Sequence, residues 1–76
     1  MVRALKIAPA PLPPGRYLIR TRETTPIAAA MNGHAAVHPH AECTSDGKWC
    51  VFYCDGQEVW SCNAVYAAAN FDVEPV

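Results

Sequence analysis

Residues 37–62 read VHPHAECTSDGKWCVFYCDGQEVWSC and contain two Asp-Gly dipeptides, Asp46-Gly47 and Asp55-Gly56. An Asp-Gly pair between apolar, strand-forming runs is a strong local signal for a two-residue β-hairpin turn. The sequence therefore predicts a three-stranded antiparallel meander, with strands over residues 37–45, 48–54 and 57–62.

Two-residue turns also predict which residues face each other in this meander. They place Cys43 opposite Cys50 in the first hairpin and Val51 opposite Trp60 in the second. Side chains alternate between the two faces of a strand. One face is then expected to hold Ala41, Cys43, Cys50, Phe52, Cys54 and Val59. The other is expected to hold Trp49, Val51, Tyr53, Trp60 and Cys62. Both faces are apolar, so each needs cover.

A fourth strand is predicted over residues 16–23, which read RYLIRTRE and follow a Pro-Gly turn. Alternation along this strand directs one set of side chains to the core, namely Tyr17, Ile19 and Thr21. The opposite face presents Arg16, Leu18, Arg20 and Arg22. A short strand is also predicted over residues 2–7.

The first of two predicted helices lies in residues 24–33. Thr25 is a suitable N-cap, and the Asn32-Gly33 pair supplies a left-handed stop. An isolated helix of this length is not stable in water. Ile27 and Met31, spaced four residues apart, are therefore expected to dock on the rest of the protein.

The second helix is predicted over residues 63–70, with Ser61 or Asn63 as its cap, and the tail FDVEPV is expected to be extended. The predicted fold class is α+β: a three-stranded antiparallel meander with an added N-terminal strand and one or two short helices. The 76 residues allow one small domain. Within it, residues 1–15 form a proline-rich N-terminal arm and residues 16–76 the folded core.

No apolar run approaches the length of a membrane span, and prolines interrupt the apolar stretch near the N-terminus. The sequence therefore predicts neither a membrane segment nor a cleaved signal peptide. Both expectations favour a cytoplasmic location. Charge is divided along the chain. Residues 1–22 hold five basic residues and no acid, whereas residues 23–76 hold one lysine and seven acids. This division indicates either two binding faces of opposite sign or a basic strand beside acidic ones.

Four cysteines, Cys43, Cys50, Cys54 and Cys62, follow the pattern C-x6-C-x3-C-x7-C. A structural zinc site would use thiolates and imidazoles, and His34, His38 and His40 lie just upstream. The pattern lacks the close C-x2-4-C pair typical of such sites, so no metal or other cofactor is predicted. One cross-strand disulfide, between Cys43 and Cys50, and buried free thiols remain as alternatives.

No constellation of residues in the sequence predicts catalysis. His38 and Cys43 face opposite sides of their strand, and Asp46 and Asp55 are explained as turn residues. The four glycines are isolated, so there is no phosphate-binding loop. We expect a protein that is not an enzyme. Nucleic acid is not expected as its main partner, because residues 23–76 would repel phosphate.

A protein partner is the best-supported expectation, and two charged patches compete for it. One is the arginine face, comprising Arg16, Arg20 and Arg22. The other is formed by acids at the hairpin tips, Asp46, Asp55 and Glu58, beside the aromatic Trp60. Charge can steer a partner while an aromatic side chain anchors it. The acidic set suits a nucleic-acid-handling target, since such proteins carry basic grooves.

From Trp49 onward the chain resembles small phage and prophage accessory proteins that end in a hairpin, a short amphipathic helix and a Glu-Pro tail. The matching elements are Trp49, Asp55-Gly56, Glu58, Trp60, Cys62, Tyr66 or Phe71, and Glu74-Pro75-Val76. The resemblance implies an inhibitor of the anti-CRISPR or host-takeover type, located in the cytoplasm of a host cell. Such a protein blocks a host defence or transcription complex, a protein or a ribonucleoprotein, by protein–protein contact. The alternative is a small Cys/His zinc or redox module, and a homodimer stays open.

Overall fold

The computed structural model describes residues 10–76 of the chain. These residues form five strands and two α-helices, with a single 3-10 turn at Ala35–Val37. In chain order the elements are β1 (Gly15–Thr21), α1 (Pro26–Met31), β2 (His40–Ser45), β3 (Trp49–Cys54), β4 (Gln57–Asn63), α2 (Ala64–Asn70) and β5 (Phe71–Pro75). The strand predicted over residues 2–7 lies outside the described residues.

The five strands form one antiparallel sheet in the order β4-β3-β2-β1-β5. The predicted α+β class is confirmed, but the sheet has five strands rather than four. The tail is extended, as expected, and it also pairs with β1 as an edge strand. Pro75 is compatible with this position because an edge strand has one side free of ladder hydrogen bonds.

The first hairpin differs in register from the two-residue turn predicted at Asp46-Gly47. Its loop is Gly47 and Lys48, and Ser45 pairs with Cys50. The Asp46 carboxylate explains the difference, because its Oδ1 accepts hydrogen bonds from the backbone N–H groups of Lys48 and Trp49, both at 2.8 Å. Cys43 therefore pairs with Phe52 rather than Cys50. The shift is two residues along one strand, so every side chain keeps its predicted face.

The second hairpin turns at Asp55-Gly56 as predicted. Both residues have positive φ, 52° and 79°, as a type I′ turn requires. Tyr53 then pairs with Glu58 and Phe52 with Trp60, so Val59 is an extra residue in β4. This β-bulge reverses the faces beyond it.

The bulge corrects the predicted faces of β4. Trp60 and Cys62 lie on the face that carries Phe52 and Cys50, and not with Trp49 and Tyr53. Trp60 is consequently packed against the core. The sequence signal for the turn was right, but nothing in it places a bulge four residues later.

The helices cover one face of the sheet and enclose the core. Its largest fully buried side chains are Phe52, Phe71, Ile19, His34, Val37 and Cys50. Leu12 also reaches this core, where its carbonyl accepts a hydrogen bond from the Ser45 hydroxyl at 2.8 Å.

Both helices begin at caps that the sequence predicted. The Thr25 hydroxyl accepts from the Ala28 N–H, and the Asn63 side chain accepts from the Tyr66 N–H. The expectation that Ile27 and Met31 dock was wrong, because they are 74% and 83% exposed. Helix α1 instead packs through Ala29, whose small side chain permits close approach.

Candidate binding surface

The face of the sheet opposite the helices is not covered by any element of residues 10–76. Leu18 and Trp49 on this face are 47% and 49% exposed, although the corresponding positions on the covered face are buried. We call this surface the open face. Its side chains come from all five strands: Arg16, Leu18, Arg20, His40, Glu42, Thr44, Trp49, Val51, Tyr53, Glu58, Ser61, Asn63, Asp72 and Glu74.

One row of five residues crosses the open face perpendicular to the strands. Leu18 pairs with both Glu74 and Glu42, and Tyr53 pairs with both Glu42 and Glu58. In strand order from one edge to the other, the row is therefore Glu74, Leu18, Glu42, Tyr53, Glu58. We call this row the glutamate row. Neighbouring strands are about 4.8 Å apart, so successive glutamates lie about 9–10 Å apart with an apolar or aromatic residue between them.

A shallow groove of about 920 Å³ runs beside this row. Four residues of the row line the groove, namely Glu74, Leu18, Glu42 and Tyr53. Arg20 and Asp72 also line it. Asp55 at the second hairpin tip is another lining residue. The groove therefore combines apolar contact area with a surplus of negative charge.

The three arginines have different roles. Arg16 and Arg20 lie on β1, and Arg22 follows it. Arg22 binds its own chain: its guanidinium donates to Asp72 at 3.0 Å, to the Ala69 carbonyl at 2.9 Å and to the Phe71 carbonyl at 3.3 Å. Arg16 and Arg20 make no side-chain hydrogen bond or ion pair within residues 10–76. They flank the glutamate row, two positions before and after Leu18 on β1.

The predicted acidic residues are not brought together. Asp46 binds the backbone of its own turn, and those hydrogen bonds lower the pKa of its carboxyl. Asp55 lies at the other hairpin tip and borders the groove. Only Glu58 belongs to the glutamate row. Trp60 lies on the covered face among aromatic rings, 5.3 Å from Phe52 between ring centroids.

Sequence reasoning missed Glu42 and Glu74. Alternation along β2 predicts that Glu42 faces away from the side of the sheet that holds Ala41 and Cys43. The sequence therefore contained one signal for the exposure of Glu42. Glu74 required the pairing of β5 with β1, which is a contact between residues far apart in sequence. No local pattern encodes that pairing.

A second cluster of polar groups lies under the helices, around His34. The His34 ring is 1% exposed. Its Nε2 lies 2.8 Å from Oε1 of Glu23, and its Nδ1 lies 2.9 Å from the Tyr66 hydroxyl oxygen. The hydrogen bond with His34 lowers the pKa of Glu23 to about 2, and burial raises the pKa of Tyr66.

The His34 cluster joins a carboxylate, an imidazole and a phenol, which are groups that can relay protons. Aromatic rings of Trp60, Tyr66 and Phe71 surround the imidazole, with centroid distances of 4.9–6.2 Å. The ring is closed to solvent, which leaves it a structural role. Through its contacts with Glu23 and Tyr66, it connects the segment after β1 with α2.

Three of the four cysteines are buried on the covered face, and Cys54 is half-buried. Burial raises the pKa of the Cys43 and Cys62 thiols to about 12, and the nearby Cys50 thiol contributes to both shifts. The thiolate is the nucleophile and the metal ligand, so these two groups are poorly suited to either role near neutral pH. Within residues 10–76 no three His, Cys, Asp or Glu side chains are grouped to hold a metal ion.

Searches with this chain against protein families, curated proteins and solved structures found no match. Among the helices of the described residues, none has the length and apolar character needed to cross a membrane.

Proposed function

We propose that this chain is a small binding protein that acts through protein–protein contact on the open face, as a phage-type inhibitor of a host defence or transcription complex. The observation that carries the binding role is that large apolar side chains are exposed on the sheet face that no element of residues 10–76 covers. An antiparallel sheet with one solvated face normally carries polar side chains on that face. Here one face is covered by helices, and the other exposes Leu18 and Trp49 at about half of their surface.

The aromatic residues and arginines of the open face fit a protein interface. Such interfaces are enriched in aromatic residues and arginine, and this face presents Trp49, Tyr53, Arg16 and Arg20. The free arginines can pair with carboxylates of a partner, and the glutamates with its basic groups. Phosphate backbones are a poor match, since the glutamate row would repel them. The inhibitor role itself comes from the resemblance to phage accessory proteins.

Site-specific photo-cross-linking tests the binding role. A photoreactive residue is placed at position 18 on the open face, or at the exposed position 27 on α1 as the matched control. We expect one bacterial host protein or complex to be cross-linked from position 18 and not from position 27. Unlabelled wild-type chain should compete with this product, and so should Ile27→Asp. Leu18→Asp should not compete. Equal products from both positions would contradict binding through the open face.

The inhibitor role is tested on the captured complex. Adding the wild-type chain should lower the activity of that complex. Adding the Leu18→Asp variant instead should leave the activity unchanged. A captured complex without a defence or transcription activity would contradict the inhibitor role and leave the binding role intact. Native mass spectrometry of the purified chain tests the zinc or redox alternative. Bound zinc, or a mass deficit of two hydrogens per disulfide, would favour that alternative.

A further inference from the structure

The spacing of charges on the open face indicates what kind of element can bind there. From Glu74 to Glu58 the glutamate row crosses four strand spacings, which is about 19 Å. A partner element that follows the row must offer basic groups about 9–10 Å apart, with apolar groups between them.

An α-helix laid across the strands meets this requirement. With a rise of 1.5 Å per residue, residues seven apart lie about 10.5 Å apart on nearly the same side of a helix. A helix of about 15 residues spans the row. An extended strand fits less well, because its residues on one face repeat every 6.6–7 Å. The glutamate row therefore matches a helix and not an added strand.

We propose that the open face binds a basic amphipathic helix of the partner protein, with Lys or Arg at positions i, i+7 and i+14. These groups would contact Glu74, Glu42 and Glu58. Apolar residues at i+3 or i+4 and at i+10 or i+11 would contact Leu18 and Tyr53. An arginine beside Tyr53 would also gain a cation–π contact. This proposal rests on the proposed binding function and names the class of partner.

Arg16 and Arg20, which make no ion pair within residues 10–76, restrict the charge pattern of the partner helix. Arg16 and Arg20 stand on either side of the row, so they repel a helix that is basic on all sides. They favour a helix whose single basic and apolar stripe is flanked by acidic residues. A second copy of this chain is a weaker match, because the described residues contain no helix longer than seven residues.

A pair of synthetic helical peptides tests the proposal on the 76-residue chain. One peptide carries lysines at i, i+7 and i+14 with leucines between them. The control peptide has the same composition, with lysines at i, i+5 and i+10, which spreads them around the helix. Titration calorimetry should show the first peptide binding about tenfold more tightly than the control. Amide chemical shifts should change at Leu18, Glu42 and Tyr53.

Variants with the same change in net charge identify the surface. Glu42→Gln with Glu74→Gln raises the net charge by two and should weaken binding of the first peptide about fivefold or more. Ile27→Lys with Met31→Lys raises it equally on the helix layer and should leave binding within about twofold.

Three results would overturn the proposal. They are equal affinity for both peptides, equal effects of the two double variants, and a dimer in sedimentation that Leu18→Asp abolishes. If photo-cross-linking from position 18 still captures a host protein, the binding function stands and only the helix is wrong. If that capture also fails, both are wrong.

Discussion

His34 shows how one polar residue can be built into a small aromatic core. Both of its ring nitrogens have partners, Glu23 on one side and Tyr66 on the other. No buried side-chain nitrogen or oxygen of residues 10–76 lacks a hydrogen-bond partner. A buried polar group that loses its partner keeps the full cost of leaving water. The stability of this cluster therefore depends on each contact being made.

Replacing Tyr66 by Phe tests that dependence. The variant removes the hydroxyl next to His34 Nδ1 and should lower the free energy of unfolding by about 1–3 kcal/mol in urea denaturation. Tyr53→Phe is the matched control, because the Tyr53 hydroxyl makes no hydrogen bond within the described residues. It should change stability by less than about 0.5 kcal/mol. Equal losses in both variants would show that the His34 contact contributes nothing.

Glu23 should make the protein sensitive to acid. Its pKa is about 2 in the folded chain, against a usual value of 4.5, mainly because His34 bonds its carboxylate. The unfolded chain therefore binds more protons between these values. The stability that Glu23 contributes is complete above about pH 4.5 and is lost as the pH falls towards 2.

The free energy of unfolding, measured by urea denaturation between pH 2 and pH 6, checks this expectation. Glu23→Gln removes the titrating group and should give a shallower decline with acid than the wild type. Glu42→Gln is the matched control, because it removes an exposed carboxylate that makes no side-chain hydrogen bond within residues 10–76, and its decline should stay steeper than that of Glu23→Gln. Identical profiles for all three proteins would contradict the role of Glu23.

At the scale of elements, local sequence signals predicted the turns and the helix caps. They did not predict strand pairing between residues that are far apart in the sequence. The second Asp-Gly turn, the alternation of β1 and the cap at Thr25 all depend on neighbouring residues. The bulge at Val59 depends on what β4 gains by turning Trp60 and Cys62 inwards. That gain exists only when Phe71 and α2 are already in place, so the sequence of the hairpin alone does not reveal it.

The candidate site was predictable to the same extent. Glu58 was singled out because it adjoins a recognisable turn. Glu42 and Glu74 enter one row with it only through the pairing of β1 with both β2 and β5. Trp60 was assigned to the wrong face because the bulge at Val59, which sets its face, depends on contacts outside the hairpin.

Deleting single residues from β4 tests the bulge. Removing Val59 leaves Glu58 opposite Tyr53 and Trp60 opposite Phe52, so every face is kept. This variant should stay folded, with a loss of about 1 kcal/mol or less. Removing Ser61 instead turns Cys62 to the open face and should cost about 2–3 kcal/mol or more. Thermal unfolding gives the stabilities, and thiol labelling reports whether Cys62 has become exposed. A larger loss for the Val59 deletion would contradict the assignment of Val59 as the extra residue.

For the molecule as a whole, the fold mixes the charges that the sequence separates. Basic β1 lies between β2 and β5, and its Arg20 pairs in register with His40 and Asp72. The net charge is −1, but on the open face Arg16 and Arg20, which have no ion pair within residues 10–76, border a row of three glutamates. At 0.15 M salt, charges act over about 8 Å, so a partner senses this local pattern and not the overall charge.

The free arginines should therefore oppose a purely basic helix. Replacing Arg16 and Arg20 together by Gln leaves the glutamate row unchanged and removes two repulsive charges. The lysine heptad peptide should then bind about threefold more tightly in low salt, and the gain should shrink as salt shortens the range of the charges. Ile27→Glu with Met31→Glu lowers the net charge equally on the helix layer and should give a smaller gain. Titration calorimetry at low and high salt measures both. An equal gain in the two variants would mean that overall charge attracts the peptide, whereas a loss of affinity in the arginine variant would mean that the arginines themselves hold it.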